Sequence, residues 1–247
     1  GPAGAVYAWG HGGYGKLGLG DDTSNRLVPT RVPGLEGIVA VDGGAAHTVA
    51  LSEDGSLFSW GCSNLGQLGL GDSGLRKVPT RVSTLSHVVD VSAGNIHCLA
   101  VTSDGSVHSW GDGECGKLGH GDEEDVDAPR RIEHPALEGV RIVRVAAGVN
   151  HSLAVSEGGR LFVWGHVSEG FNQQHVWLGL GDQVNEGGEV WVPTLVEGVE
   201  GVVGCAPGVY HSVLSTRDGT VMSFGSCGSE GYHWGEGTGN AIDGRLG

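Results

Sequence analysis

The stretch His97-Cys-Leu-Ala-Val-Thr-Ser-Asp-Gly-Ser-Val-His-Ser-Trp-Gly111 decides the fold. Two short β-prone runs flank Asp104-Gly105, and a glycine there supplies the positive φ that a tight hairpin turn needs. The phrase recurs at 47–61, 151–165 and 211–225. All four copies keep one separation between the histidine and the aromatic residue of an aromatic-Gly pair: His47 to Trp60, His97 to Trp110, His151 to Trp164 and His211 to Phe224. Chance does not produce that register. Asp54-Gly55 and Asp218-Gly219 repeat the turn, and Gly158-Gly159 replaces it.

Outward from the hairpin, the aromatic-Gly pairs stand at Trp9, Trp60, Trp110, Trp164 and Phe224. Their interval is about 50 residues and widens over the last two repeats. The first three lead into near-copies of one phrase: Gly15-Lys-Leu-Gly-Leu-Gly-Asp21, Gly66-Gln-Leu-Gly-Leu-Gly-Asp72 and Gly116-Lys-Leu-Gly-His-Gly-Asp122. A displaced fourth copy is Leu178-Gly-Leu-Gly-Asp182, and Gly244-Arg-Leu-Gly247 opens a fifth. Each complete phrase is followed by a proline (Pro29, Pro79, Pro129, Pro193) and then by Gly-x-x-His ending in His47, His97, His151 or His211. A short apolar run such as Val88-Val-Asp-Val91 precedes each hairpin, and a further strand is expected near 29–32 and 79–82. Four short strands in a unit of about 50 residues describe a propeller blade. A helical reading fails, because no window keeps apolar spacing at i, i+3, i+4 and i+7 over three turns.

Composition agrees. Glycine supplies 48 of 247 residues, far above the usual share of about 7%, and recurs among Val, Leu and Ala, as many short strands and tight turns require. The net charge of −15 repels phosphate backbones, so direct nucleic-acid binding is not expected and a basic protein surface is the favoured partner. Five cysteines without a Cys-x-x-Cys pair argue against a disulfide framework or zinc site and for a reducing, intracellular compartment, cytoplasmic or nuclear. No apolar run approaches a membrane span and no signal peptide precedes Val6, so no membrane insertion is expected; Gly1-Pro2 reads as a cleavage scar.

The ordered motifs Trp-Gly, Gly-x-Leu-Gly-x-Gly-Asp, Pro-Thr, Gly-x-x-His and Asp-Gly-x-Leu/Val resemble the regulator of chromosome condensation repeat, over nearly all of 1–247. The resemblance implies an all-β, RCC-type β-propeller of seven blades, of which this chain supplies about four and a half. The rest belongs to a longer parent chain, to self-association or another chain completing the ring, or a smaller ring closes on itself. By the same resemblance the chain is a protein-interaction or scaffold module that binds through variable loops. The alternative is guanine-nucleotide exchange on a Ran-like small GTPase, the founder's activity. The founder carries acidic residues in some Gly-x-x-His loops, whereas the pairs here are Ala45-Ala46, Asn95-Ile96, Val149-Asn150 and Val209-Tyr210. Those pairs also lack the Trp and Arg that a plant ultraviolet-B photoreceptor of similar fold places there.

No enzyme chemistry, metal or cofactor is expected. The repeated histidines sit at like positions in rotated blades and read as packing or strand-to-strand hydrogen bonds. The Gly-Asp pairs lack a following Lys-Ser/Thr and read as turn chemistry, and Glu123-Glu124-Asp125 reads as a solvated loop. Function is expected where the repeats differ. The stretch from Gly165 to Leu178 is nearly twice as long as its counterparts, Gly10 to Leu17, Gly61 to Leu68 and Gly111 to Leu118. Asp182 to Pro193 likewise exceeds Asp21 to Pro29, Asp72 to Pro79 and Asp122 to Pro129. The extra segments, 166–177 and 183–192, carry His166, Glu169, Phe171, His175, Trp177, Glu186, Glu189 and Trp191; the long fifth loop adds Tyr232 and Trp234. Tryptophan is enriched at interface hot spots, so these are the candidate partner-binding residues.

Overall fold

The computed structural model describes residues 4–167, 178–181 and 190–225. These form five antiparallel sheets, each pairing its strands in chain order. The first joins β1 (Tyr7–Gly10) to β2 (Arg26–Arg31). The second contains β3 (Ile38–Gly43), β4 (His47–Ser52), β5 (Leu57–Gly61) and β6 (Arg76–Arg81). The third contains β7 (Val88–Ala93), β8 (His97–Thr102), β9 (Val107–Gly111) and β10 (Val126–Arg131). The fourth contains β11 (Ile142–Ala147), β12 (His151–Ser156), β13 (Leu161–Gly165) and β14 (Val190–Leu195). The fifth contains β15 (Val202–Pro207), β16 (His211–Thr216) and β17 (Val221–Gly225).

The leading strands β3, β7, β11 and β15 pack against one another from sheet to sheet, so they line the axis and the chain forms a propeller arc. The expected fourth strand is β2, β6, β10 or β14, outermost in its blade. Its central proline (Pro29, Pro79, Pro129 or Pro193) lies on an edge, where a missing N–H is tolerated and pairing with another chain is discouraged. No helix among the described residues is long and apolar enough to cross a membrane.

The constant His-to-aromatic spacing is a hairpin register. His47 pairs with Gly61, His97 with Gly111, His151 with Gly165 and His211 with Gly225. At the turn only the glycine takes positive φ, 79° at Gly55 and 86° at Gly105. The preceding aspartate acts as an acceptor: Asp54 Oδ1 receives the Ser52 hydroxyl at 2.6 Å and the Ser56 N–H at 2.9 Å. In the fourth blade, where Gly158 replaces the aspartate, Ser156 Oγ accepts the Arg160 N–H at 2.9 Å instead.

The core is divided among the seams between sheets. Val32, Leu35, Ala50 and Trp60 fill the first seam, a cluster around Val49, Leu57, Val88 and Trp110 the second, and one around Leu153, Phe162 and Trp164 the remainder. Trp60, Trp110 and Trp164 each insert against the previous blade. Trp60 Nε1 donates to Lys16 O at 2.9 Å, Trp110 Nε1 to Gln67 O at 3.1 Å and Trp164 Nε1 to Lys117 O at 2.8 Å. These three are 0–1% exposed, whereas Trp9, with no sheet before it among the described residues, is 61% exposed. Replacing Trp110 by Phe removes the donor from a buried carbonyl and should destabilise the chain by about 1–3 kcal/mol. Trp9→Phe should leave stability within about 0.5 kcal/mol. Urea unfolding of the two variants checks the contrast.

Candidate interaction surface

The acceptor that receives each indole also receives the residue after the next blade's histidine. Thr48 Oγ1 donates to Lys16 O at 2.9 Å, Ser152 Oγ to Lys117 O at 2.8 Å, and Cys98 Sγ lies 3.5 Å from Gln67 O. The histidines extend the chain to the following blade. His47 Nε2 lies 3.1 Å from Cys98 Sγ, His97 Nε2 2.9 Å from Ser152 Oγ, and His151 Nε2 2.9 Å from Ser212 Oγ. The single hydroxyl proton of Ser152 goes to Lys117 O, so His97 donates through Nε2–H and keeps Nδ1 unprotonated. Nδ1 of His47, His97 and His151 is buried without a partner, and at His97 it is a bare lone pair rather than a lost donor. The glycine of Gly-x-x-His is required by the same ring, since a Cβ on Gly44 would lie 2.2 Å from His47 Cε1. These histidines therefore hold blades together. Among the described residues no three His, Cys, Asp or Glu side chains form a metal-holding group.

Near the axis the carboxylates also serve the seams. Asp42 Oδ2 accepts the Ala93 N–H at 2.9 Å and the Ser92 hydroxyl at 3.0 Å, and Asp90 Oδ2 accepts the Val145 N–H at 2.8 Å. Burial raises the Asp90 carboxyl above its ordinary range. Lys117, fully buried, pairs with Asp112 at 2.7 Å.

What remains is the face where the Gly-x-x-His loops surround the axis. Ala45, Ala46, Asn95, Ile96, Val149, Asn150, Val209 and Tyr210 present no charge there, and Val209 and Tyr210 are about half exposed. The Gly-Asp loops lie outside them on the same face. Asp22 pairs with Arg26, Asp72 with Arg76 and Asp21 with Lys77. In the third blade the carboxylates of Glu114, Glu123, Glu124, Asp125 and Asp127 form no ion pair among the described residues. Glu123 and Asp125 instead cap their own loop by accepting the Cys115 and Gly113 N–H groups at 2.8 and 2.9 Å.

Of the candidates from sequence, Glu169, Phe171, His175, Trp177, Glu186, Glu189, Tyr232 and Trp234 lie outside the described residues. His166 stands at the base of its loop, its N–H donating to Asn150 O at 2.8 Å as Cys62 and Asp112 do to their own blades' loops. Trp191 needs a correction. Positions 190–192 are the start of β14, not part of an expanded loop, because the proline of every outer strand is its fourth residue. Trp191 packs on Gly116 of the third blade, where a Cβ would lie 2.4 Å from its Cδ1, and Trp191 O accepts the Gly121 N–H at 3.0 Å. Lys77 and Asp127 take the same seam positions in earlier blades. The sequence reading also missed the long connection from Ile132 to Ile142, which holds a 3-10 turn at Pro135–Leu137. Its signal was the widened interval between Trp110 and Trp164.

A partial propeller whose blades are locked by Trp–carbonyl and His–hydroxyl bonds defines the class of protein. The chain matches the regulator of chromosome condensation (RCC1) repeat over residues 3–51, 54–101 and 104–155, and it belongs to that family. It is 32% identical over 92% of its length to the regulator of chromosome condensation of Mus musculus, and spans 40% of that relative. It is 37% identical over 87% of its length to the E3 ubiquitin-protein ligase HERC2 of Homo sapiens, spanning 4% of it. Among solved structures, Prp20p from Saccharomyces cerevisiae superposes with a TM-score of 0.75 at 31% identity, covering 90% of this chain and 54% of that one.

The buried histidines make stability depend on pH. Burial holds His47 and His151 at about 4, and His97 well below its ordinary value. A histidine that is harder to protonate folded than unfolded leaves the unfolded state holding more protons between those limits. Stability is thus complete above about 6.5 and falls as pH drops toward 4. The urea midpoint should decline between pH 7.5 and 4.5; a flat profile would remove the seam role of these histidines.

Proposed function

We propose that this chain is a protein-interaction module without catalytic chemistry of its own, holding its partner on the Gly-x-x-His face. The observation that supports it most directly is the division of labour among side chains. His47, His97, His151, Trp60, Trp110, Trp164 and the axial carboxylates Asp42 and Asp90 are occupied in blade seams, while the loop pairs around the axis are uncharged and differ from blade to blade. An apolar centre beside the unpaired carboxylates of the third blade suits a protein surface with an apolar tip among basic residues. The charges would govern encounter and the apolar contacts residence. We extend this surface to the fourth and fifth loops, with His166, Glu169, Phe171, His175, Trp177, Glu186, Glu189, Tyr232 and Trp234. An intracellular setting fits the free thiols of Cys62, Cys98 and Cys205.

A second reading is nucleotide exchange on a Ran-like small GTPase. It is favoured by the identity to the mouse regulator of chromosome condensation and by the likeness to Prp20p, whose structure was described with its binding to Gsp1p and histones. The absence of carboxylates from the four loop pairs weighs against it.

The test is capture of a purified Ran-type GTPase and of core histones by the immobilised chain at low and physiological salt. Tyr210→Ala and Ile96→Asp should each weaken capture about tenfold, the loss of about 1.4 kcal/mol, without moving the melting temperature. Glu124→Lys with Asp127→Lys should slow association. Capture of neither protein at low salt would overturn the reading, and accelerated GDP release would establish the second.

A further inference from the structure

The seam between the fourth and fifth blades is built differently from the two before it. Between the second and third blades Asp42 Oδ2 accepts the Ala93 N–H at 2.9 Å, and between the third and fourth Ser92 Oγ accepts the Ala147 N–H at 3.1 Å. In the next seam the strand registers put Ala146 in the acceptor's place and Pro207 in the donor's. Alanine carries no side-chain acceptor and proline no N–H, so this link is missing from both sides. The loops above part at the same place. Ala45 N–H donates to Asn95 O at 3.1 Å and Asn95 N–H to Gly148 O at 3.0 Å, whereas among the described residues Val149 N–H makes no such bond to the fifth blade. A Cβ on Gly44 or Gly94 would lie 2.4 Å from the next blade's glycine carbonyl oxygen, but one on Gly148 meets Pro207 Cβ at 3.1 Å. Phe224, which replaces the tryptophan of this seam, has no N–H to donate.

The bonds that this seam keeps gather at its other end, beside the hairpin turns. Val202 N–H donates to Gly159 O at 3.0 Å, as Val88 and Ile142 N–H do to Gly55 O and Gly105 O, and Arg217 Nη2 reaches Glu157 O at 2.8 Å. Halfway up, His151 Nε2 keeps its 2.9 Å contact with Ser212 Oγ. We propose that the fifth blade is hinged, turning about its hairpin-turn end and opening the seam at its Gly-x-x-His end. A blade held at one end opens locally at small cost, and the held end is the pivot. Val209 and Tyr210, 50% and 43% exposed, ride on the moving end, while the other three loops are tied together through Asn95. The consequence for binding rests on the protein-interaction reading above. A partner seats an apolar side chain between the loops at 148–150 and 208–210, and holds the blade in the one position that fits it.

Amide hydrogen exchange of the intact chain, corrected for intrinsic rates and read by mass spectrometry, tests the hinge. The excess of exchange over the fourth-blade counterparts, 148–153 and 154–160, should be about tenfold larger in 208–213 than in 214–220. Ala146→Ser with Pro207→Ala supplies the acceptor and donor of the earlier seams; it should remove that difference and leave 214–220 unchanged. An equal excess at both ends, as fraying of the whole blade gives, would overturn the hinge, and so would a folded double variant that exchanges like the parent. The parent's own gradient decides the matter if circular dichroism shows the double variant unfolded. Saturating Ran-type GTPase or core histones, whichever the chain captures, should slow 208–213 about tenfold and 214–220 little. Capture without that slowing would overturn closure on the partner. Capture of neither protein sinks the interaction reading alone, and the hinge is then decided by the free chain's gradient.

Discussion

The arc depends on one kind of contact: a main-chain carbonyl in each Gly-x-Leu-Gly turn that takes donors from the following sheet. Lys16 O, Gln67 O and Lys117 O each face a tryptophan indole and the small polar side chain after a histidine. A buried carbonyl left unmatched costs about 1–3 kcal/mol, so a sheet lacking its neighbour is incompletely satisfied. The indole contact takes only the backbone of the x residue, so its side chain varies between Lys and Gln and serves other partners, as Lys117 does with Asp112. The second glycine cannot vary in the same way, since a Cβ on Gly18, Gly69 or Gly119 would lie 2.8 Å from the indole nitrogen.

Much of this was legible in the sequence because the hairpin register is written in the spacing. At that fixed distance a histidine such as His97 faces the glycine after the tryptophan, Gly111, and any insertion between them would destroy the pairing. The seams were not legible, for a physical reason. Their acceptors are carbonyls, which leave no mark on residue identity, and their donors are read first as core or turn residues. The aspartate of the Asp-Gly turns is another example: it suggests a two-residue turn with positive φ at both positions, yet at Asp54 it works as a side-chain acceptor. The distance from Asp182 does not reveal the place of Trp191, because the outer strand keeps its register from the proline and not from the aspartate. Counting back from Pro193, the fourth position of its strand, finds the true start.

The residues that make the blades recognisable are not the residues that distinguish one relative from another. A regulator of chromosome condensation and a ubiquitin ligase share the repeat at comparable identity. The scaffold is common and the activity is grafted on it. The chain fills its repeated polar positions with seam contacts and leaves its variation in the loop pairs.

A core divided into slabs also changes how the molecule yields. With no central nucleus to lose, resistance to opening becomes a sum of nearest-neighbour couplings, as in linear arrays. Backbone amides in β8 and β12, buried along their whole length, should then exchange with solvent most slowly, with protection falling stepwise toward β1 and β17. Damage at one slab loosens the two sheets that share it while a distant pair keeps its grip, so the arc frays from its tips inward rather than melting at once.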